Sequence, residues 1–291
     1  MISCVWFLLT NDLCMDTLLV FYICDWSIQL VHDTQKAILA LSILALAMGS
    51  QEASAGSVAS GTNGDWGSGS TWVPAGVPTI GDDVTVNKAV TVQAGAAAVG
   101  NILYVNGTTG DLTVALLATL SIADQTTLGY FTAGKITNQG TFTSAGMDIY
   151  GSGTFINGLA GTLSIGSTGL TVARGGTLSL AVGNSASAST LDPQAPDPDN
   201  LLSVVPSVLR ITGTATGGTL ISYGSLKGTS GVFGTVYYND TLVPDPTTGG
   251  IDGYRLVYGT TALSLAAVPE PMMMGTLGMA ASCLLMRRRR A

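Results

Sequence analysis

The region between residues 56 and 268 of this 291-residue chain has no cysteine, no histidine and no glutamate. The one histidine, His32, lies outside it, and so do the cysteines, which are Cys4, Cys14, Cys24 and Cys283. This middle region therefore has no disulfide framework, no thiolate nucleophile and no imidazole base. These absences predict a protein that is not an enzyme and that holds neither a cofactor nor a metal.

Charge is scarce as well. Charged residues make up 10% of the chain, against roughly 25% in a typical globular domain. In the middle region twelve aspartates stand against six lysines and arginines, which leaves a net charge of −6. A region of this charge is a poor partner for nucleic acid or for an anionic lipid surface.

Long apolar runs are the third absence from the middle region. The mean hydropathy of +0.44 is high, yet the apolar residues there come in short alternating runs. None approaches the ~18–20 residues of a spanning helix. The pattern predicts β-strands in the middle and apolar segments only at the two ends.

The amino-terminal residues 31–55 have the features of a secretory signal peptide. Residues 37–48 form a short apolar core after Lys36, and Ala53 and Ala55 are the small residues that a signal peptidase requires. We expect cleavage after Ala55, so that Gly56 becomes the first residue of the mature protein.

Residues 1–30 are apolar and contain Asp12, Asp16 and Asp25 but no lysine or arginine. Since a signal peptide begins with positive charge, we interpret this segment as an extension upstream of the true start, with Leu30 or Val31 as the initiator. The alternative is an additional membrane segment.

The middle region alternates apolar residues with threonine or serine. Six runs place two apolar side chains on one face of a strand and a hydroxyl on the other: residues 84–86, 90–92, 112–114, 120–122, 163–165 and 178–180. Glycine, asparagine and aspartate separate the runs and indicate turns. Strands of three to five residues joined in this way are too short for a typical β-sandwich.

A loose repeat accompanies the strands. Gly-Thr followed by Phe or Leu occurs at residues 140–142, 153–155, 161–163 and 176–178, at intervals of 13, 8 and 15. Stacked rungs with turns of varying length favour a β-solenoid. Because the end strands of a solenoid must be covered, we expect Trp66 and Trp72 to cap the amino end.

These patterns divide the middle region into three parts. Residues 56–183 are predicted to form the solenoid. Residues 184–207 contain Asp192-Pro193, Asp197-Pro198 and Pro206, which disfavour strand pairing and predict a loop or linker. Strands return in residues 208–267, which we interpret as a small β unit that caps the carboxyl end.

The run from Gly64-Asp65-Trp66 through Trp72-Val73-Pro74 to residues 78–86 resembles the opening of autotransporter-type β-strand repeat passengers. Residues 226–233 and 253–258 resemble their closing segment. The resemblance covers residues 64–180 best. It implies a right-handed β-helix at a cell surface and no particular activity.

The last 24 residues contain three parts in order. The motif Val268-Pro269-Glu270-Pro271 precedes the apolar segment 272–286, and a basic cluster follows, formed by Arg287, Arg288, Arg289 and Arg290. This order resembles the PEP-CTERM sorting signal. Extended prolines suit a protease cleft, and arginines stay on the cytoplasmic side of a membrane. The apolar segment is shorter than the ~17–25 residues of a span, and an ordinary tail anchor is the alternative.

The resemblance to the sorting family implies processing by an exosortase near the motif, after passage through the inner membrane. It also implies a Gram-negative host whose biofilm or envelope includes exopolysaccharide as a possible partner. The mature product would then be residues 56–268, on the cell surface or in the medium.

Other motifs have weaker chemical interpretations. The pair Asp82-Asp83 resembles the carboxylates of pectin-hydrolysing β-helices, and Arg210-Ile211-Thr212 faintly resembles their Arg-Ile-Lys, but that family also needs a histidine. We interpret Asp82-Asp83 as a polar turn. The acids Asp192, Asp197 and Asp199 are interpreted as a solvated loop rather than a Ca²⁺ site.

Two aromatic pairs, Tyr130-Phe131 and Tyr237-Tyr238, are candidate carbohydrate contacts, provided that their rings form an exposed row. The asparagines of two formal glycosylation sequons, Asn106 and Asn239, are interpreted as turn residues.

The fold predicted from these observations is all-β: a right-handed β-helix or solenoid-like domain with a small carboxyl-terminal β cap, flanked by a signal helix and a transmembrane helix. The predicted function is a structural or adhesive protein of the cell surface or extracellular matrix that associates with exopolysaccharide. A carbohydrate-binding or carbohydrate-cleaving β-helix is the alternative.

Overall fold

The computed structural model describes residues 56–130, 132–193, 205–227 and 232–269. The predicted signal helix and transmembrane helix lie outside these residues. No helix in the described part of the chain is long and apolar enough to cross a membrane.

The described residues form a β-solenoid of about seven turns, which confirms the all-β solenoid prediction. Their strands in chain order are β1 (Ser57–Ser60), β2 (Gly64–Asp65), β3 (Trp72–Val73), β4 (Asp83–Val86), β5 (Ala89–Val92), β6 (Ala97–Gly100), β7 (Ile102–Val105), β8 (Asp111–Val114), β9 (Thr119–Leu128), β10 (Gly134–Asn138), β11 (Thr141–Ile149), β12 (Gly153–Asn157), β13 (Thr162–Val172), β14 (Thr177–Ala181), β15 (Ser185–Pro193), β16 (Val208–Thr212), β17 (Gly218–Leu226), β18 (Thr235–Tyr238), β19 (Thr241–Leu242), β20 (Tyr254–Tyr258) and β21 (Ala262–Ala267). A short 3₁₀ helix, Gly69–Thr71, precedes β3.

The strands stack in parallel in three columns. The third column is one sheet, in the order β19-β18-β16-β14-β12-β10-β8-β5-β2. The first and second columns share a larger sheet, because β9, β11, β13 and β15 each run through both columns, with register shifts such as that between Ser144 and Gly146. The long strands correct the prediction of three to five residues per strand: the chain turns this corner by a bulge, without leaving the sheet.

Inward side chains of successive rungs stack on one another. In the third column the register joins Val90, Leu112, Ile136, Phe155 and Leu178, each 0–1% exposed. All six runs predicted from alternation bury their two apolar residues in this way. The core is therefore a continuous apolar column inside the solenoid.

The glycines of the Gly-Thr repeat have a steric role at two corners. Gly140 and Gly161 precede first-column strands, 21 residues apart, and Gly153 and Gly176 precede third-column strands, 23 residues apart. A Cβ on Gly140 would overlap the carbonyl oxygen of Ala118 on the previous rung. The uneven intervals in the sequence thus come from two interleaved repeats, each close to one rung in length.

Residues 185–193 correct the prediction of a loop over 184–207. They form β15, which pairs in parallel with β13 and β17. The strand forms because its alternating small residues pack at the same register as the larger ones before them, as Ala188 does beside Ile165. Proline enters only as the last strand residue, Pro193.

Parallel stacking continues past residue 208. Strand β16 pairs with β14, and β18 pairs with β16, so the predicted boundary does not mark the end of the solenoid. The antiparallel strands β19, β20 and β21 come later, and β21 pairs with β17.

Trp66 and Trp72 lie at the amino-terminal rung, where we expected a cap. They are 2% and 1% exposed, and their rings meet edge to face with centroids 5.0 Å apart. The Trp72 Nε1–H donates to the Trp66 carbonyl at 2.8 Å, and β3 pairs antiparallel with β1. The two indoles thus cover the apolar column at this end.

Candidate functional site

The described residues include three of the predicted processing residues. Gly56 precedes β1, and Val268 and Pro269 follow β21; the Val268 N–H donates to the Gly253 carbonyl at 2.8 Å. The other predicted processing residues, Ala53, Ala55, Glu270, Pro271 and Arg287 to Arg290, lie outside the described residues.

Asp82 and Asp83 have separate partners. Asp82 accepts hydrogen bonds from the Thr79 N–H and hydroxyl, both at 2.7 Å, and these bonds hold the pKa of its carboxyl below the usual value. Asp83 accepts a bond from Asn101 Nδ2 at 3.0 Å. Such an arrangement is that of a hydrogen-bonded turn and gives the two carboxylates no shared target.

Arg210 and the Tyr237-Tyr238 pair are occupied by packing. The Arg210 guanidinium binds Asp240 at 2.7 Å and lies 4.5 Å from the Tyr237 ring centroid. Tyr238 is 7% exposed, and its hydroxyl donates to Asp252 at 2.7 Å. These two tyrosines therefore do not form the exposed row that a carbohydrate contact needs.

The sequon asparagines lie at turns. Asn239 has φ = 44°, and its side chain accepts from the Gly213 N–H at 2.9 Å and donates to the Gly213 carbonyl at 3.1 Å. Gly107, after Asn106, has φ = 95°. Of the predicted acidic loop, Asp197 and Asp199 lie outside the described residues, and no group of three potential metal ligands occurs within them.

A groove lies along the corner between the second and third columns. It encloses about 640 Å³ and crosses several rungs. Its lining comes from the turns before β5, β8, β10 and β12 and includes Lys88, Thr108, Thr109, Lys135 and Ser152. We call it the corner groove. Lys135 forms an ion pair with Asp111 at 2.7 Å, so the lining combines hydroxyls with two ammonium groups.

Two tyrosines lie at the same corner. Tyr130 follows β9 and Tyr150 follows β11, and their rings meet edge to face with centroids 5.7 Å apart. Tyr130 is 40% exposed. The Arg174 guanidinium, one rung further, lies 5.9 Å from the Tyr150 ring centroid. Stacking of one turn on the next has thus produced an aromatic pair beside the corner groove.

Asp148 connects this pair to the outer face of the second column. Burial raises the pKa of its carboxyl, and hydrogen bonds with Thr171, Tyr150 and Gln125 oppose the rise. Burial, followed by the nearby charge of Asp148, raises the pKa of the Tyr150 phenol to about 12. Tyr150 therefore remains a neutral phenol across the physiological range.

Sequence reasoning named Tyr130 but missed Tyr150, Asp148 and Gln125. The only local signal was the alternation in Met147-Asp148-Ile149-Tyr150, which places Asp148 and Tyr150 on one outward face. Their contact with Tyr130 depends on the rung spacing, which that alternation does not contain.

Comparison of the chain with protein-family models, with curated proteins and with solved structures gave no match.

Proposed function

We propose that this chain is an exported structural or adhesive protein of the cell surface or extracellular matrix, without enzymatic activity, which binds polysaccharide along the corner groove. Export by a signal peptide, processing by an exosortase at Val268–Pro271 and a Gram-negative host belong to this proposal. So does right-handed winding, the hand of about 98% of parallel β crossover connections.

The limits of the fold support double processing. Strand β1 begins at Ser57, two residues after the proposed cleavage at Ala55, and β21 ends at Ala267, next to the Val268-Pro269 motif. Both proposed cuts therefore spare every strand among the described residues. A protein trimmed at these points would keep its complete apolar column.

The juxtaposition of the Tyr130–Tyr150 pair with the corner groove carries the binding proposal. Ring faces supply apolar contact area, while hydroxyl and ammonium groups supply hydrogen bonds that orient a ligand. A groove that crosses several rungs at ~4.8 Å each suits a long, linear ligand. Polysaccharides combine extended shape, apolar sugar faces and many hydroxyls.

The test is binding of the exported, purified protein to a neutral glucan and to a polyuronate, measured by affinity electrophoresis. Because Tyr130 offers the more exposed ring, Tyr130→Ala should weaken binding by roughly 5- to 100-fold, or about 1–3 kcal/mol for a lost aromatic stacking contact. Leu242→Ala is the matched control, since Leu242 is 53% exposed and lies on β19, away from the groove. Equal affinity of Tyr130→Ala and wild type would contradict the proposal.

One observation favours polysaccharide cleavage as a second candidate. Asp148 and Asp192 flank Thr171 in register, two strand spacings or roughly 10 Å apart, near the carboxylate separation of inverting glycosidases. Burial raises the pKa of Asp192, as it does that of Asp148, and Lys227 opposes the rise.

Release of reducing ends from the same polysaccharides separates the two candidates. Cleavage that both Asp148→Asn and Asp192→Asn abolish, with binding intact, would establish the enzyme. Binding without any release by the wild type would leave the adhesive role.

A further inference from the structure

The backbone nitrogen of Gly56 faces a carboxylate that is already oriented. Gly56 N lies 3.2 Å from Asp82 Oδ1. The other oxygen, Asp82 Oδ2, is held by the N–H and the hydroxyl of Thr79. The carboxylate therefore presents one oxygen to Gly56 while the second is anchored in the turn.

The backbone around this contact is fixed on both sides. The Gly56 carbonyl accepts the Asp83 N–H at 2.8 Å, and the Asp82 carbonyl accepts the Asn101 N–H at 2.8 Å. Ser57 then begins β1 in register with Asp83 on β4. Gly56 thus belongs to the first parallel ladder of the solenoid.

We propose that Asp82 is a binding site for the α-ammonium group of Gly56, which forms when signal peptidase cleaves after Ala55. This inference rests on the proposed signal-peptide processing. Hydrolysis adds hydroxide to the Ala55 carbonyl carbon and a proton to the Gly56 nitrogen. The released amine takes up a further proton below its ordinary pKa of roughly 7.7–8.0.

The change from amide to ammonium strengthens the contact. An amide offers one N–H and no charge, whereas the ammonium offers three N–H groups and a positive charge. Hydrogen bonds between charged partners are roughly twice as strong as neutral ones. The Thr79 hydrogen bonds keep the pKa of Asp82 below its usual value, so the partner is anionic at neutral pH.

The titratable side chains on the elements around Gly56 are few. Strand β1 and the turn before Asp82 have none beyond Asp82 itself, β4 contributes Asp83, and β7 contributes Tyr104. Asp83 is engaged by Asn101. Asp82 is the carboxylate with a printed contact to the Gly56 nitrogen, and Asp83 serves as a neighbouring control.

Processing would thereby complete the amino-terminal end of the solenoid. The ion pair would hold the start of β1 against the turn before β4, beside the Trp66–Trp72 cap. An ammonium with a raised pKa in the folded state adds stability below its unfolded pKa of about 8, and that stability is lost as the pH rises through the folded value.

The experiment uses the full-length gene, expressed in a bacterium with its own signal peptidase. The exported product is purified, its first residue is identified by mass spectrometry, and acylation of the α-amine is followed from pH 6 to 10. A raised amine pKa should make acylation at pH 7 roughly threefold slower or more in the wild type than in Asp82→Asn. Asp83→Asn should behave as the wild type, and Thr79→Val should fall between.

Each outcome decides a separate point. A terminus at Gly56 with the expected order of rates supports the site. A terminus at Gly56 with equal rates in wild type, Asp82→Asn and Thr79→Val overturns the site but leaves the signal cleavage intact. A terminus elsewhere overturns both the site and the proposed cleavage.

Discussion

Asn138 and Asn157 are fully buried polar residues inside an otherwise apolar column. They stack on adjacent rungs, where Asn138 Nδ2 donates to Asn157 Oδ1 at 2.7 Å and to the Thr162 carbonyl at 2.9 Å. Asn157 Nδ2 donates to the Gly161 carbonyl at 3.1 Å. The same register position holds Val114 one rung before and Leu180 one rung after. The pair is therefore a satisfied polar ladder in a position that also accepts aliphatic side chains.

Removing one member of this ladder should cost more than replacing both. Asn157→Ala leaves the Asn138 amide with a lost partner in a dry site, and we expect it to destabilise the protein by about 1–3 kcal/mol. The double change Asn138→Leu with Asn157→Leu should cost less than the sum of the single changes, since it removes both sets of polar groups. Urea unfolding of the four proteins measures the difference. Additive costs would contradict the coupling.

At the scale of strands and turns, close stacking of corners determines where glycine is needed. Gly140 and Gly176 precede strands at the two corners, and a Cβ on either would overlap a carbonyl oxygen of the rung before, that of Ala118 or of Ile149. The neighbouring backbone belongs to a continuous ladder and cannot move without disturbing it. These glycines therefore set how closely one turn lies upon the next.

Gly140→Ala should destabilise the protein by about 1–3 kcal/mol, the usual cost of forcing an extra group into a packed site. Gly67→Ala is its matched control, because a Cβ at Gly67 meets no atom within 4 Å. The control should change stability by less than about 0.5 kcal/mol. Thermal unfolding of both variants gives the comparison. Equal effects would show that the corner is looser than its geometry implies.

For the whole molecule, the ends of the solenoid matter most. Each rung buries its inward side chains against its neighbours, so the first rung depends on the cap that covers it. Trp66 and Trp72 provide this cover at the amino end. At the other end, antiparallel β21 pairs with β17 and with β20, which ends the parallel stacking.

Trp72→Ala should therefore loosen the amino-terminal rungs first. Loss of a buried tryptophan costs about 3–5 kcal/mol, and amide exchange should accelerate in β1 and β2 before it does in β11 to β14. The control is Val73→Ala, at the adjacent position, where the side chain is 62% exposed. Uniform acceleration across all strands would instead indicate that the solenoid unfolds as one cooperative unit.

The sequence by itself determined which residues form strands and which side chains face inward. Alternation has a local cause, since successive Cβ atoms point to opposite faces of a strand. For this reason the runs at 84–86, 112–114 and 178–180 were predicted correctly. The export and sorting signals, in contrast, stay predictions, because most of their residues lie outside the described part of the chain.

Only the tertiary structure decided which residues meet across rungs. The rung length varies from 19 residues, between Asn138 and Asn157, to 31, between Leu178 and Leu209, because the turns differ in length. Local alternation contains no information on that length. Contacts such as those of Tyr130 with Tyr150 and of Gly56 with Asp82 therefore come from how the turns set the register, and they are what define the candidate sites of this protein.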